Sequence, residues 1–353
     1  MDVSSIDTPA IVIDLDRVEA NIAAAQRYCD AHGLALRPHV KTHKLPILAH
    51  RQLAAGAVGI TAQKIGEAAT MVAAGIDDVL LSYPIVGETK LEPLSRLARV
   101  TTRLSVALDN AVAIDLVARA AAAAGRTIGV LIEFESGRRR TGVESFDDAL
   151  ALARRIDAAP HLRLDGFMTY PLGEGAGEWV REARARFARE GFEAPTFSGG
   201  GTPDMWRAHE TPGLTELRPG TYVYHDRATV GAGAGTLDDC ALYVHVTVVS
   251  TPAPERAVID AGSKTLTSDR IPEAFGSGYG YVVEHPEAEI TSLSEEHGVL
   301  DISRCERPPA IGDRLRIVPN HVCPVSNLDD RVIAQRGGRI EAVWPVWARG
   351  MTR

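Results

Sequence analysis

Four cysteines in 353 residues, at positions 29, 240, 305 and 323, are too few and too scattered to form a disulfide framework. No apolar run approaches the ~20 residues needed to span a bilayer. The opening Met1-Asp2-Val3-Ser4-Ser5-Ile6-Asp7 has neither the basic stretch nor the apolar one that directs secretion. A basic stripe is missing too. The net charge of −8 comes from 46 acidic against 38 basic residues spread along the chain, which offers a polyanion such as nucleic acid little to hold. Long-period repeats and low-complexity tails are also absent. The expectation left standing is a cytoplasmic enzyme with no membrane or nucleic-acid partner.

A hydrophobic content of 45% is enough to fill one large core or two modest ones. Eight short β-type runs follow one another: Leu36 to Val40, Gly59 to Ala62, Val79 to Ser82, Leu104 to Leu108, Ile128 to Phe134, Leu164 to Thr169, Pro195 to Ser198 and Leu214 to Leu217. Between them lie Ala-rich amphipathic segments such as Leu48 to Ala55, Glu67 to Ala74, Ala111 to Ala124 and Asp147 to Ala158, which suit helices. Eight βα units predict a closed parallel (β/α)8 barrel of the TIM type. After about Asp239 the pattern becomes alternating, in Leu242 to Val249 and Arg314 to Val318, which predicts antiparallel β structure. The expected organisation is a barrel over residues 1–235 and a C-terminal, mostly antiparallel β domain over 236–353. A first strand near 9–14 is available to pair with that domain. Gly231-Ala232-Gly233-Ala234-Gly235 fits a hinge between the two, and equally a phosphate loop or a mobile one.

Polar groups are densest in Arg37-Pro38-His39-Val40-Lys41-Thr42-His43-Lys44, at the carboxyl end of the first barrel strand, where such barrels collect functional groups. Neighbouring cations would lower the pKa of Lys41 and help its amine attack an aldehyde. A solvated basic loop has the same composition. Gly199-Gly200-Gly201-Thr202 lets backbone N–H groups approach an anion, with the Thr hydroxyl as a further donor, although a plain turn reads alike. If His321 and Cys323 lie on a strand, they share one face, and an imidazole and a thiolate so placed can bind one metal; two buried strand residues are the plainer alternative.

Thr8-Pro9-Ala10-Ile11-Val12-Ile13-Asp14 followed by the Arg37 to Lys44 segment resembles the opening of the D-threonine aldolase and eukaryotic-type D-serine dehydratase family, relatives of alanine racemase. Further matching motifs follow in order: Gln63 to Ala68, Gly137 to Val143, Gly199 to Thr202, Glu216 to Tyr222, Ile259 to Gly262, Glu296 to Gly298 and Asn320 to Pro324. The likeness covers nearly the whole chain. It implies a barrel that binds pyridoxal phosphate (PLP) through a Schiff base on Lys41, with Arg140 facing the pyridine nitrogen as a weaker electron-sink partner than a carboxylate. It also implies phosphate contacts from Gly200, Gly201, Thr202, Gly220, Thr221 and Tyr222, and a cofactor-facing Tyr170. His39, His43, Gln63, His297 and Asp260 would lie near the cofactor, with His39, His43 and Tyr170 joining Lys41 as catalytic candidates. His321 and Cys323 would hold a divalent metal, zinc being favoured by the thiolate over manganese or magnesium, with water and substrate completing the shell.

The function implied is a lyase acting on a small β-hydroxy D-amino acid, in a homodimer. The leading expectation is aldolase-type cleavage to glycine and an aldehyde. The alternative is dehydration of D-serine, D-threonine or 3-hydroxy-D-aspartate to a 2-oxo acid and ammonia, and lesser alternatives are a racemase or a non-catalytic PLP-binding protein. Two features depart from the aldolases: Cys323 stands where they typically carry aspartate, and Thr169-Tyr170-Pro171-Leu172-Gly173 lacks a histidine after the tyrosine. Pro324 to Asp330 and Arg349-Gly350-Met351 nevertheless look like the bacterial aldolase-type sequences.

Overall fold

A computed structural model describes residues 2–353. The chain forms two compact units. One comprises Ala24–Lys41, Leu45–Gly220 and Met351–Arg353; the other comprises the chain up to Ala23, Thr42–Lys44 and Thr221–Gly350. The first strand, β1 (Ala10–Asp14), belongs to the second unit.

The first unit is built on eight parallel strands: β2 (Ala35–Leu36), β3 (Ile60–Ala62), β4 (Asp78–Leu81), β5 (Arg103–Leu108), β6 (Ile128–Glu133), β7 (Leu162–Met168), β8 (Thr196–Gly199) and β9 (Glu216–Leu217). Their order is β2-β9-β8-β7-β6-β5-β4-β3, and a parallel bridge between His39 and Thr61 joins the two ends. Seven overlap runs legible in the sequence over most of their length, whereas β2 shares only Leu36 with the expected run Leu36 to Val40. Every residue of β6 is buried, as expected of strands covered on both faces. Leu80, Ala107, Leu131 and Met168, from four successive strands, pack together as a layer. The Ala111–Ala124 helix starts where Asn110 accepts from the Ala113 N–H and stops at Gly125, which adopts φ 63°.

A polar layer lies toward the amino ends of the strands. The Arg37 guanidinium reaches Glu216 (2.7 Å) and Asp78 (2.6 Å), and Glu216 also accepts from the Ser198 hydroxyl. Asp165 accepts from Ser105 and pairs with Arg163.

The second unit holds a nine-stranded sheet with β10 (Leu242–Ala253), β11 (Arg256–Ile259), β12 (Tyr281–Val282), β13 (Glu289–Leu293), β14 (Gly298–Asp301), β15 (Arg314–Val318), β16 (Arg331–Arg336) and β17 (Arg339–Pro345). Because β10 is twelve residues long, it pairs with β15 and also with both β1 and β11, so that β10, β11, β14, β13, β12 and β15 close into an antiparallel ring. Burial alternates along β15, with Leu315 and Ile317 inward and Arg314 and Arg316 outward. β1 sits inside the sheet, antiparallel to β10 and parallel to β16. The stretch from Gly231 to Gly235 lies within this unit and follows a short Arg227–Gly231 helix. No described helix is long and apolar enough to cross a membrane.

Candidate active site and metal centre

At the carboxyl ends of the barrel strands, His39 is held from both sides of its ring. The Gln63 amide donates to the Ser82 carbonyl (3.3 Å), which turns its oxygen toward Nε2 of His39, 3.0 Å away. A carbonyl oxygen only accepts, so Nε2 carries the proton. Nδ1 is then the acceptor for the Lys41 backbone N–H at 3.4 Å. His39 thereby anchors the start of the segment that carries Lys41, whose side chain is exposed. Arg37 contributes nothing cationic here, because its charge is compensated by Glu216 and Asp78. Lys44 belongs to the other unit and directs its ammonium to the Ala348 carbonyl. The basic run around Lys41 is thus dispersed, contrary to the expectation of a cluster of cations pressing on one amine.

Three glycines at the end of β8 and just beyond it have little room for a side chain. A Cβ on Gly199 would stand 2.6 Å from Leu172, and one on Gly201 would stand 2.6 Å from the Tyr170 ring. Gly200, at φ 75°, is in the left-handed region, and a Cβ there would stand 2.9 Å from both Leu172 and Leu217. The run lets the Tyr170–Leu172 loop lie directly against the backbone. Thr202 is buried, and a turn leads from it into a 3-10 helix at Met205–Glu210. Arg140 is exposed, with its guanidinium carbon 5.6 Å from the Tyr170 ring centre. Gly220 is buried.

Two residues not singled out in the sequence stand beside this group. Arg218 is 5% exposed and donates to the Thr169 carbonyl, but its Nε has no partner. Glu133 is 2% exposed; the Thr141 hydroxyl donates to one carboxylate oxygen and the other has no partner. Burial pushes the Glu133 carboxyl up, against the pull of Thr141 and Arg218. Unpartnered buried polar atoms call for a bound group or water. With the tight glycine turn and the nearby arginines, this polar environment fits an anionic heterocycle such as PLP.

In the second unit, His321 and Cys323 do not lie on a strand. His321 caps the Val322–Leu328 helix in extended conformation, and Cys323 is in its first turn. The two side chains still meet, through the turn and not through strand alternation. Asp226, fully buried, accepts from Nδ1 of His321 (3.1 Å), from the Val322 N–H (3.1 Å) and from the Thr229 N–H (2.8 Å). Burial works against charging His321, yet the bonds to Asp226 and Cys323 carry its pKa up to about 10. The Thr42 hydroxyl lies 3.2 Å from the Cys323 sulfur and that of Thr221 lies 3.8 Å away. An imidazole with Nδ1 tied to a carboxylate, beside a thiol, is a donor set that fits a borderline-soft divalent ion. Among the described residues no group of three or more His, Cys, Asp or Glu side chains converges on a metal position. His43 and Tyr222 are buried in this unit. Asp260 accepts from Thr8 and the Thr247 N–H, which tie it into the sheet, and His297 is exposed.

Residues 13–228 match the family described as alanine racemase, N-terminal domain, and residues 241–334 match a putative serine dehydratase domain. A D-threonine aldolase from an Arthrobacter species is 38% identical over 99% of this chain and 94% of its own length. A 3-hydroxy-D-aspartate aldolase from Paracoccus denitrificans is 30% identical over the same shares, and a D-threo-3-hydroxyaspartate dehydratase from a Delftia species is 34% identical over 90% and 91%. The structure of D-threonine aldolase from Filomicrobium marinum superposes with a TM-score of 0.87 at 36% identity, covering 100% of this chain and 98% of that one. A histidine-to-alanine variant of the D-threo-3-hydroxyaspartate dehydratase superposes with a TM-score of 0.87 at 31% identity, over 98% of this chain and 96% of that one. Its cysteine-to-alanine counterpart, two residues further along that chain and in a metal-free form, gives 0.83 at 31% identity over 98% of each. An alanine racemase-like barrel followed by a serine dehydratase domain places this chain in the D-threonine aldolase and D-serine dehydratase family of PLP lyases.

Proposed function

We propose that this protein is a PLP- and metal-dependent lyase that cleaves a β-hydroxy D-amino acid, with D-threonine giving glycine and acetaldehyde. The observation that carries the reading is the His321–Cys323 pair, with Asp226 behind the imidazole and the Thr42 hydroxyl 3.2 Å from the thiol. Thr42 follows Lys41 directly in the chain, and Thr221 follows Gly220.

When bound, PLP supplies an electron sink at the substrate Cα, and the metal, zinc by preference, supplies Lewis acidity at the β-hydroxyl. In this reading Lys41 tethers the cofactor; Arg140, Gln63 and Tyr170 surround it, and Gly200, Gly201, Thr202, Gly220, Thr221 and Tyr222 hold its phosphate. His39 already spends both ring nitrogens on Gln63 and the Lys41 backbone, so it orients the tether and does not move protons. His43, buried and two residues beyond Lys41, is the candidate to take the hydroxyl proton. The assembly is a homodimer, which sedimentation checks.

A second reading, dehydration, is favoured by Cys323, because the cysteine variant of the dehydratase relative is the one described as metal-free. Product analysis with PLP and Zn²⁺ or Mn²⁺ decides. Glycine plus an aldehyde from D-threonine supports the aldolase; 2-oxobutanoate and ammonia, or pyruvate from D-serine, support the dehydratase. Lys41→Ala removes the visible absorption band of the bound cofactor, and survival of that band overturns the assignment of Lys41.

A further inference from the structure

We infer that Asp226 is the positioning residue of the metal pair: it fixes which nitrogen of His321 faces the ion. The inference rests on the proposed metal role of His321 and Cys323. One oxygen of the buried Asp226 carboxylate accepts from both Nδ1 of His321 and the Val322 N–H, each at 3.1 Å. The other accepts from the Thr229 N–H at 2.8 Å. A carboxylate engaged in this way has no proton to offer, so Nδ1 must be the donor, and Nε2 is the nitrogen that can give up its proton and turn a lone pair to an ion. Histidine ligands of metals are ordinarily fixed by such a carboxylate.

The same carboxylate also sets where the ring stands. By accepting from Thr229 it caps the Arg227–Gly231 helix, and by accepting from Val322 it holds the entry to the Val322–Leu328 helix. His321 and Cys323 lie in that entry turn, so the position of the thiol follows from the contact that orients the imidazole. The neighbouring residues repeat the tie. Arg227 donates to the Gly280 carbonyl and to Asn320, whose own amide donates to the Asp269 and Gly278 carbonyls. Asp226 and Arg227 thus grip His321 and Asn320 as consecutive pairs.

Asparagine cannot replace the carboxylate here. Its oxygen can serve His321 and Val322, but its NH₂ group then meets the Thr229 N–H, donor against donor. The test is a titration of metal-free, PLP-loaded protein with Zn²⁺, and with Co²⁺ to read the thiolate charge-transfer band. Asp226→Asn is expected to weaken metal affinity about 10- to 100-fold while the cofactor band persists. Thr229→Ala removes the hydroxyl that caps the Asp226 N–H and leaves Nδ1 of His321 untouched. It is expected to stay within about threefold of the unaltered protein, below the range set by loss of an outer-shell partner. His321→Ala and Cys323→Ala are expected to abolish tight binding. If those two bind like the unaltered protein, the metal assignment fails and Asp226 falls with it. If they lose binding but Asp226→Asn does not, only the positioning role is overturned. If Thr229→Ala weakens binding as much as Asp226→Asn, helix integrity is the cause and the inference is likewise overturned.

Discussion

Replacing Arg37 with methionine leaves two carboxylates without their shared cation, and they are not equally able to recover. The Asp78 side chain is 29% exposed and can regain water, whereas that of Glu216 is 9% exposed and keeps, among the described residues, the Ser198 hydroxyl as a donor and the Arg218 charge nearby. Removing one partner of a buried ion pair costs about 3–5 kcal/mol. Hydration of Asp78 and the remaining Ser198 bond place the expected loss near the lower end, about 3 kcal/mol. Glu216→Gln alone leaves Arg37 paired with Asp78 and should cost less, about 1–2 kcal/mol. In the double variant no buried charge at Glu216 is left stranded, so its loss should fall short of the sum by at least about 1 kcal/mol. Urea unfolding followed by tryptophan fluorescence measures all three, with equal slopes required for the comparison. A loss below about 1 kcal/mol for Arg37→Met, or strict additivity in the double variant, refutes the reasoning.

Three further outcomes are expected. Gly201→Ala drives a methyl group into the Tyr170 ring, an overpacking of about 1–3 kcal/mol that should appear as weaker PLP binding by the apo-protein; unchanged affinity and melting temperature count against the close packing. Burial, aided by Arg316, holds His245 down to about 4, below its ordinary 6.5, so the unfolded chain takes up the proton first. Stability should therefore fall as pH drops from 6.5 toward 4, by about 2 kcal/mol at pH 5, and His245→Asn should flatten that slope in urea midpoints. Cys323→Ala should lose stimulation by added Zn²⁺ while keeping the cofactor's visible band; retained stimulation removes Cys323 from the metal site.

The barrel was legible because each strand is a short apolar run between helix-forming segments, and because Asn110 and Gly125 mark a helix at both ends. The His321–Cys323 turn was less so: coming after the alternation of Arg314 to Val318, it read as more strand, although Pro324, which fits the first turn of a helix, pointed the other way. Arg37 read as part of a basic cluster because its partners are 41 and 179 residues away, and no local pattern announces them. Asp226 escaped for the same reason, being 95 residues from His321. Glu133 and Arg218 look like ordinary strand-end charges until burial shows that each keeps an unpartnered atom.

The place of β1 between β10 and β16 bears on how the protein emerges from a ribosome. Residues 10–13 are made early, but they pair with residues 242–245, and residues 12–14 pair with 333–335. At about 5–20 residues per second, the strand waits on the order of tens of seconds for its neighbours. Meanwhile Ile11, Val12 and Ile13, each at most 2% exposed in the finished fold, are an apolar edge open to other nascent chains. The parallel barrel strands all lie between these partners in sequence, so a strand made before the barrel is enclosed only after it.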